Sequence, residues 1–359
     1  MVDFFKEFGY DMGSKDKILK SHAVNRYSSN GLRNLMVKTF DFFREYGYSD
    51  EEIISITTIS PSLFNYSKET IARRFDFLNK LGYSFNEIFK MSIILPQILT
   101  ISDGYIFEKV DFLKGCGYSN KNIHDMTVLV PSIFSNSINS LNSKRKFFLG
   151  LGFEDKEVNS MTKKMPSIYS HSVESLKDNY NYFLDKGFSI DRINKMMLRR
   201  PEIIVMSIDT LESKRNCLLD FGYSEEDINY ITGINPAIYT LNTQNLKEKI
   251  LYFLNIGYSI DEIIWITRKV PTVFNYSCEG LDEKIKVLKN ANLQSEILSR
   301  PTCLMQGVEL SYARVKFMKE HNLVFDHKTF NYLFLSNKEF DKRFGITNEE
   351  IKEKYPYKK

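Results

Sequence analysis

The apolar positions of this chain repeat at fixed offsets. Counting from Gly47, large apolar residues stand six and nine residues on, at Ile53 and Ile56. The same offsets from Gly82, Gly117, Gly152, Gly187, Gly222 and Gly257 give Ile88 and Met91, Ile123 and Met126, Val158 and Met161, Ile193 and Met196, Ile228 and Ile231, and Ile263 and Ile266. An i, i+3 pair of this kind marks one face of a short helix. Its start is written in polar residues. Ser stands two after Gly in six of the seven cases (Ser49, Ser84, Ser119, Ser189, Ser224, Ser259), and an acid follows three later in five (Glu52, Glu87, Glu157, Asp227, Glu262). Where both occur, that is a capping box. Its end is written in Pro61, Pro96, Pro131, Pro166, Pro201, Pro236 and Pro271, each 14 residues after its Gly. Pro disfavours helix in the residue before it and has no N–H to donate. The few residues after each Pro are too few for a full helix and predict a single tight turn of the 3₁₀ kind. Six residues after Pro, a Ser (67, 102, 137, 172, 207, 277) starts a second helix, with apolar residues at Pro+10 such as Ile71, Ile106 and Leu141. The next Gly supplies its left-handed cap.

Glycines and prolines thus march in steps of 35 residues, which is the signature of a stacked repeat. The pattern predicts an all-α solenoid of about eight 35-residue helix–turn–helix repeats. Residues 1–46 read as a degenerate N-terminal capping repeat: Phe4 to Tyr10 matches Phe42 to Tyr48, but residues 11–46 hold no Pro. Residues 47–290 hold seven regular repeats. Pro301 comes five residues early, so 291–320 is a shortened last repeat, and 321–359 is a C-terminal tail.

The segment from Phe77 to Lys109 reads Phe-Leu-x3-Gly-Tyr-Ser-x2-Glu-Ile-x2-Met-x4-Pro-x-Ile-Leu-x2-Ser-x3-Ile-x2-Lys. It resembles the mitochondrial transcription termination factor (mTERF) family. The likeness extends over nearly the whole chain, and Arg300-Pro301, Leu310 to Met318 and Leu335 to Phe340 look like that family's closing unit. Pentatricopeptide repeats place Pro close after Gly, whereas here the gap is 14. Tetratricopeptide repeats need a Trp pattern, and Trp265 is the only Trp. The resemblance implies a curved, left-handed superhelix that binds double-stranded DNA or RNA along a basic concave face and often controls organellar gene expression.

Composition adds bounds. Of 359 residues 43% are hydrophobic and 26% charged, with net charge +4, so a nucleic-acid partner is permitted without being demanded. The four cysteines show no CxxC or metal spacing and read as reduced thiols. No apolar run is long enough to cross a membrane. The first 30 residues show neither a secretory segment nor an Arg/Ser-rich transit peptide, which favours a soluble cytoplasmic protein over a mitochondrial or other organellar one. His22, His124, His171, His321 and His327 fall at unrelated phases of the repeat, and no phosphate-cradling loop follows a strand. No catalytic residue, metal site or cofactor is assigned, and the protein is not expected to be an enzyme.

Two basic sets remain. The first is a column 13 residues after Pro: Arg74, Lys109, Lys144, Lys214, Lys249, Lys284 and Arg314, broken only by Asn179. Two readings stand side by side. Such a column suits a phosphate backbone, yet it lies inside the apolar arc, where a Lys would bury its stem and reach a neighbouring repeat's carbonyls. The second set is the end of the first helix. It is apolar in repeats one to three (Ile59, Ile94, Leu129) and basic in repeats four, five, seven and eight: Lys163 and Lys164, Arg199 and Arg200, Arg268 and Lys269, and Arg300. Charge–dipole complementarity explains any one pair but not its absence from the first three repeats. The reading is therefore a monomeric protein that binds duplex DNA, with RNA possible, and acts by occupying its site. The alternative is a protein-interaction scaffold that docks a partner on the apolar N-terminal repeats. The aromatic residues mostly recur at repeating positions and read as packing.

Overall fold

The computed structural model describes residues 4–323 and 327–358; the tail expected over 321–359 includes 324–326 and 359, which lie outside the described residues. Among the described residues every regular element is helical. They divide into two compact bodies, one up to Leu176 and one from Lys177.

In the N-terminal body the first helices are Asp50–Ile59, Phe85–Ile94, Asn120–Leu129 and Asp155–Lys164. In the C-terminal body they are Ile190–Arg199, Glu225–Ile234 and Ile260–Lys269. Each has ten residues, and each starts 35 after the last. Each is followed by a 3₁₀ turn that opens on the comb Pro, such as Pro96–Leu99 or Pro236–Thr240. The second helices, from Lys68–Lys80 to Cys278–Lys289, also start every 35 residues. The capping boxes are formed at Ser49 with Glu52, Ser84 with Glu87, Ser224 with Asp227 and Ser259 with Glu262. Asn122 takes the acid's place opposite Ser119, and Glu154 takes the Ser's place opposite Glu157. Before the regular repeats lie Met12–Lys20 and Ser29–Glu45; after them the first helix shrinks to Glu296–Ser299, followed by Val308–Glu320.

The second helix ends by one recurring device. At Gly152, φ is +90°, Gly152 N–H donates to the Leu149 carbonyl at 3.0 Å, and Phe153 N–H donates to the Phe148 carbonyl at 3.2 Å. This is a Schellman cap, and the Phe148 and Phe153 rings close it with an edge contact at 5.9 Å.

Stacking buries what a single repeat exposes. The residues at Gly+6 and Gly+9, Ile88 and Met91 among them, are almost wholly excluded from solvent. Within that interface a hydrogen bond links consecutive repeats. In four repeats the Tyr after the cap Gly reaches a hydroxyl 44 residues on: Tyr48 to Ser92 at 2.6 Å, Tyr83 to Thr127 at 2.6 Å, Tyr118 to Thr162 at 2.5 Å and Tyr223 to Thr267 at 3.0 Å. In two others Phe153 and Phe188 stand in its place and rely on packing alone. Tyr10 makes the same bond to Thr57 at 2.6 Å. Thr127 Oγ1 also donates to the Ile123 carbonyl at 2.7 Å, so it accepts from Tyr83. Tyr258 ends the series with an unpartnered buried hydroxyl, because the next first helix is only four residues long.

A Cβ at Gly152 would meet nothing within 4 Å. Gly152→Val is therefore penalised by backbone conformation alone, by about 1 kcal/mol or more. A lowered urea midpoint with unchanged m checks this; an unchanged midpoint contradicts the cap.

Burial pushes Tyr83 up to about 12 and raises Tyr10, Tyr48, Tyr118 and Tyr223 as well. It also pushes the Cys303 thiol up to about 12. A group whose folded pKa is raised favours the fold below its unfolded value and loses that contribution as pH climbs through the folded one. Stability by urea titration is expected to stay level to pH near 8.5, where an unfolded thiol ionises, and to fall steeply above about 10, where unfolded phenols ionise. A level curve to pH 11 would contradict the buried ladder.

Candidate nucleic-acid interface

The Pro+13 column turns inward. In the N-terminal body, Lys109 is 1% exposed and its ammonium lies 3.2 Å from the centroid of the Tyr105 ring. Lys144 Nζ donates to Ser140 Oγ at 2.8 Å, and burial lowers its pKa. Arg74 pairs with Asp103 at the start of the next second helix. In the C-terminal body, Lys214 donates to Thr243 Oγ1 at 2.8 Å and Lys249 to the Asn245 carbonyl at 3.3 Å. Lys284 Nζ donates to the Leu304 carbonyl at 2.7 Å. Arg314 donates to the Leu333 and Leu335 carbonyls, both at 2.8 Å, and to Asn348 Oδ1 at 2.9 Å.

The exception in the column explains the rule. Asn179 Nδ2 donates to the Ile204 carbonyl at 2.7 Å and the Met206 carbonyl at 2.9 Å, in the turn of the next repeat. Ile204 and Leu304 both stand three residues after their Pro. A neutral amide thus meets the same register of carbonyl as a lysine does, so the requirement there is a hydrogen-bond donor rather than a charge. As a phosphate track the column is corrected: Arg74, Lys109, Lys144, Lys214, Lys249, Lys284 and Arg314 are held by partners inside the protein.

The ends of the first helices face outward. In the N-terminal body Lys163 and Lys164 are exposed at the end of Asp155–Lys164. In the C-terminal body Arg199, Arg200 and Lys269 are exposed. Arg199 Nη1 donates to the Ile234 carbonyl at 2.7 Å, which complements the end of the neighbouring helix and leaves the guanidinium at the surface. The Lys269 ammonium lies 4.3 Å from the Trp265 ring centroid. Two members of the set are only partly exposed and are held by side chains of other elements. Arg268 is half-buried, pairs with Asp227, and lies over the Tyr230 ring at 4.7 Å. Burial raises the Asp227 pKa, but bonds from Ser224 and Arg268 outweigh it and hold that carboxyl below the usual range. Arg300 donates to Asn331 Oδ1 at 2.6 Å.

Two further cations join Arg199 on the same helix. Arg192, Lys195 and Arg199 follow i, i+3, i+7 spacing along Ile190–Arg199. Lys195 pairs with Asp191 at 2.8 Å. Arg192 lies across Gly233, where an added Cβ would come within 2.4 Å of its Nε, so the glycine makes room for the guanidinium. The sequence carried a signal for it: Arg192 stands where five other repeats place the capping acid.

Among the described residues no group of three or more His, Cys, Asp or Glu could hold a metal ion, and no helix is long and apolar enough to cross a membrane. The mTERF family model matches residues 1–149 and 181–341. The chain belongs to the mTERF family. The family is one of nucleic-acid-binding helical-repeat proteins that act in gene expression. No curated protein matches this chain.

Proposed function

We propose that this mTERF protein binds double-stranded DNA through the exposed cations at the ends of its first helices and acts in transcription by occupying its site. The observation that carries the reading is the contrast between the two basic sets. The inward column is used up by the protein's own carbonyls and hydroxyls. Lys163, Lys164, Arg199, Arg200 and Lys269 present their charge to solvent. Phosphate contacts from such residues give affinity and position without reading sequence. Arg192 and Lys195 add to the charge of the most basic first helix.

The test replaces Lys163, Lys164, Arg199, Arg200 and Lys269 together by Gln. Each lost phosphate contact flattens the log–log salt dependence of duplex-DNA binding by about 0.9, so the expected flattening is roughly 4 units. The loss should be alike on all sequences. Replacing Lys109 and Lys214 by Met instead should lower the melting temperature and leave the slope of the folded protein unchanged. A folded five-site variant with the wild-type slope would overturn the reading. An RNA duplex run in parallel with the slope change confined to it would replace DNA with RNA.

A further inference from the structure

We propose that the first-helix ends of repeats one to three form a docking strip for a partner protein's amphipathic α-helix, apolar over three successive heptads and acidic on the fourth. Ile59, Ile94 and Leu129 occupy one register, two residues before Pro, and are 52%, 59% and 66% exposed. All three lie in the N-terminal body. Half-buried Ile93, Leu95, Val128 and Val130 flank them and widen the apolar strip. Core packing does not account for these side chains, because the Gly+6 and Gly+9 residues already fill the interface between repeats. Capping does not account for them either, since a helix C-terminus is complemented by a cation. A phosphate backbone gains nothing from large aliphatic groups. A contiguous exposed apolar patch rimmed by polar residues is the mark of a protein contact.

Spacing and charge select the occupant. Packed helices stand about 8–10 Å apart, and seven residues of α-helix advance about 10.5 Å. Residues i, i+7 and i+14 of a crossing helix therefore meet Ile59, Ile94 and Leu129 in turn. The next residue in this register in the same body is Lys164, with Lys163 beside it. Position i+21 of the partner meets positive charge, so an acid fits there and a base does not. A second copy of this chain fits poorly. In an antiparallel copy centred on Ile94, the position of this register that falls opposite Lys164 is Ser21, with Lys20 beside it, and it supplies no acid.

The test is selection of a phage-displayed library of random 28-residue peptides on the full chain. The Ile59→Ser/Ile94→Ser/Leu129→Ser variant serves for counter-selection. These side chains are exposed, so the variant should melt with the wild type. Enriched peptides are expected to share apolar residues at i, i+7 and i+14 and Asp or Glu near i+21. By fluorescence anisotropy they should bind the triple variant roughly thirty-fold more weakly or worse, and Lys163→Glu/Lys164→Glu roughly ten-fold more weakly at low salt. The triple variant should keep the wild-type salt slope on duplex DNA. No enrichment over counter-selection, or enriched peptides with basic ends, would overturn the proposal. So would a wild-type dimer in sedimentation that the triple variant dissociates, or a triple variant that loses DNA binding.

Discussion

A repeat of this chain cannot cover its own apolar face and depends on its neighbour to do so, and the hydrogen bond from Tyr to the hydroxyl 44 residues on fixes how the two meet. Tyr83 and Thr127 are both buried at the joint between repeats, and their bond closes at 2.6 Å only if one repeat sits in a fixed register on the next. An unpaired buried hydroxyl costs about 1–3 kcal/mol, so a slipped register is penalised at each joint that carries this bond. The separation of 44 residues is one period of 35 plus nine. A residue inserted between Tyr83 and Thr127 would shift the cap, the proline or the apolar face out of line with its neighbour. The comb of glycines and prolines is the trace in sequence of that geometric demand.

With the interior tied to the period, the outward positions are released from it. The position two before Pro is one of these. It ends a helix and is exposed at Ile59, Ile94, Leu129, Lys164, Arg199 and Lys269, outside the apolar packing of the joint. Ile59, Ile94 and Leu129 there make an apolar strip, while Lys164, Arg199 and Lys269 make cationic ends. The scaffold is indifferent to the choice, so that choice is where partner chemistry can be written. The Pro+13 position looks similar in sequence but is bound into the joint, where Asn179 and Lys284 donate to carbonyls of the next turn.

Most of the fold was legible because caps and prolines act locally. A Ser accepts from the N–H three residues on, and a Gly at positive φ closes a Schellman cap, whatever surrounds them. The 3₁₀ turns, the ten-residue first helices and the shortened last repeat all arise from such signals. The interface was only half legible. A lysine read from sequence is a charge, and only its neighbours decide whether that charge faces water. Lys109 and Lys164 look alike in the chain, yet one is 1% exposed and the other lies at the surface. The hint that separated them was Asn179, since a neutral residue in a column of charges points to a donor requirement. Arg192 was passed over because its environment depends on Gly233, a residue 41 positions away that no local pattern connects to it. The buried guanidinium of Arg215, which donates to Tyr239 at 3.1 Å and pairs with Glu225, is likewise a matter of tertiary packing.

The central claim is that one outward register carries nucleic-acid contact in the later repeats and not in the first three. It is tested most directly by single cysteines at positions 59, 94, 129, 164, 199 and 269 in a background where Cys116, Cys217, Cys278 and Cys303 are replaced. The rate of modification by a small thiol reagent is measured with and without saturating duplex DNA. The account predicts strong protection at 164, 199 and 269 and none at 59, 94 and 129. Protection at 59, 94 and 129, or equal rates at all six positions, would contradict it.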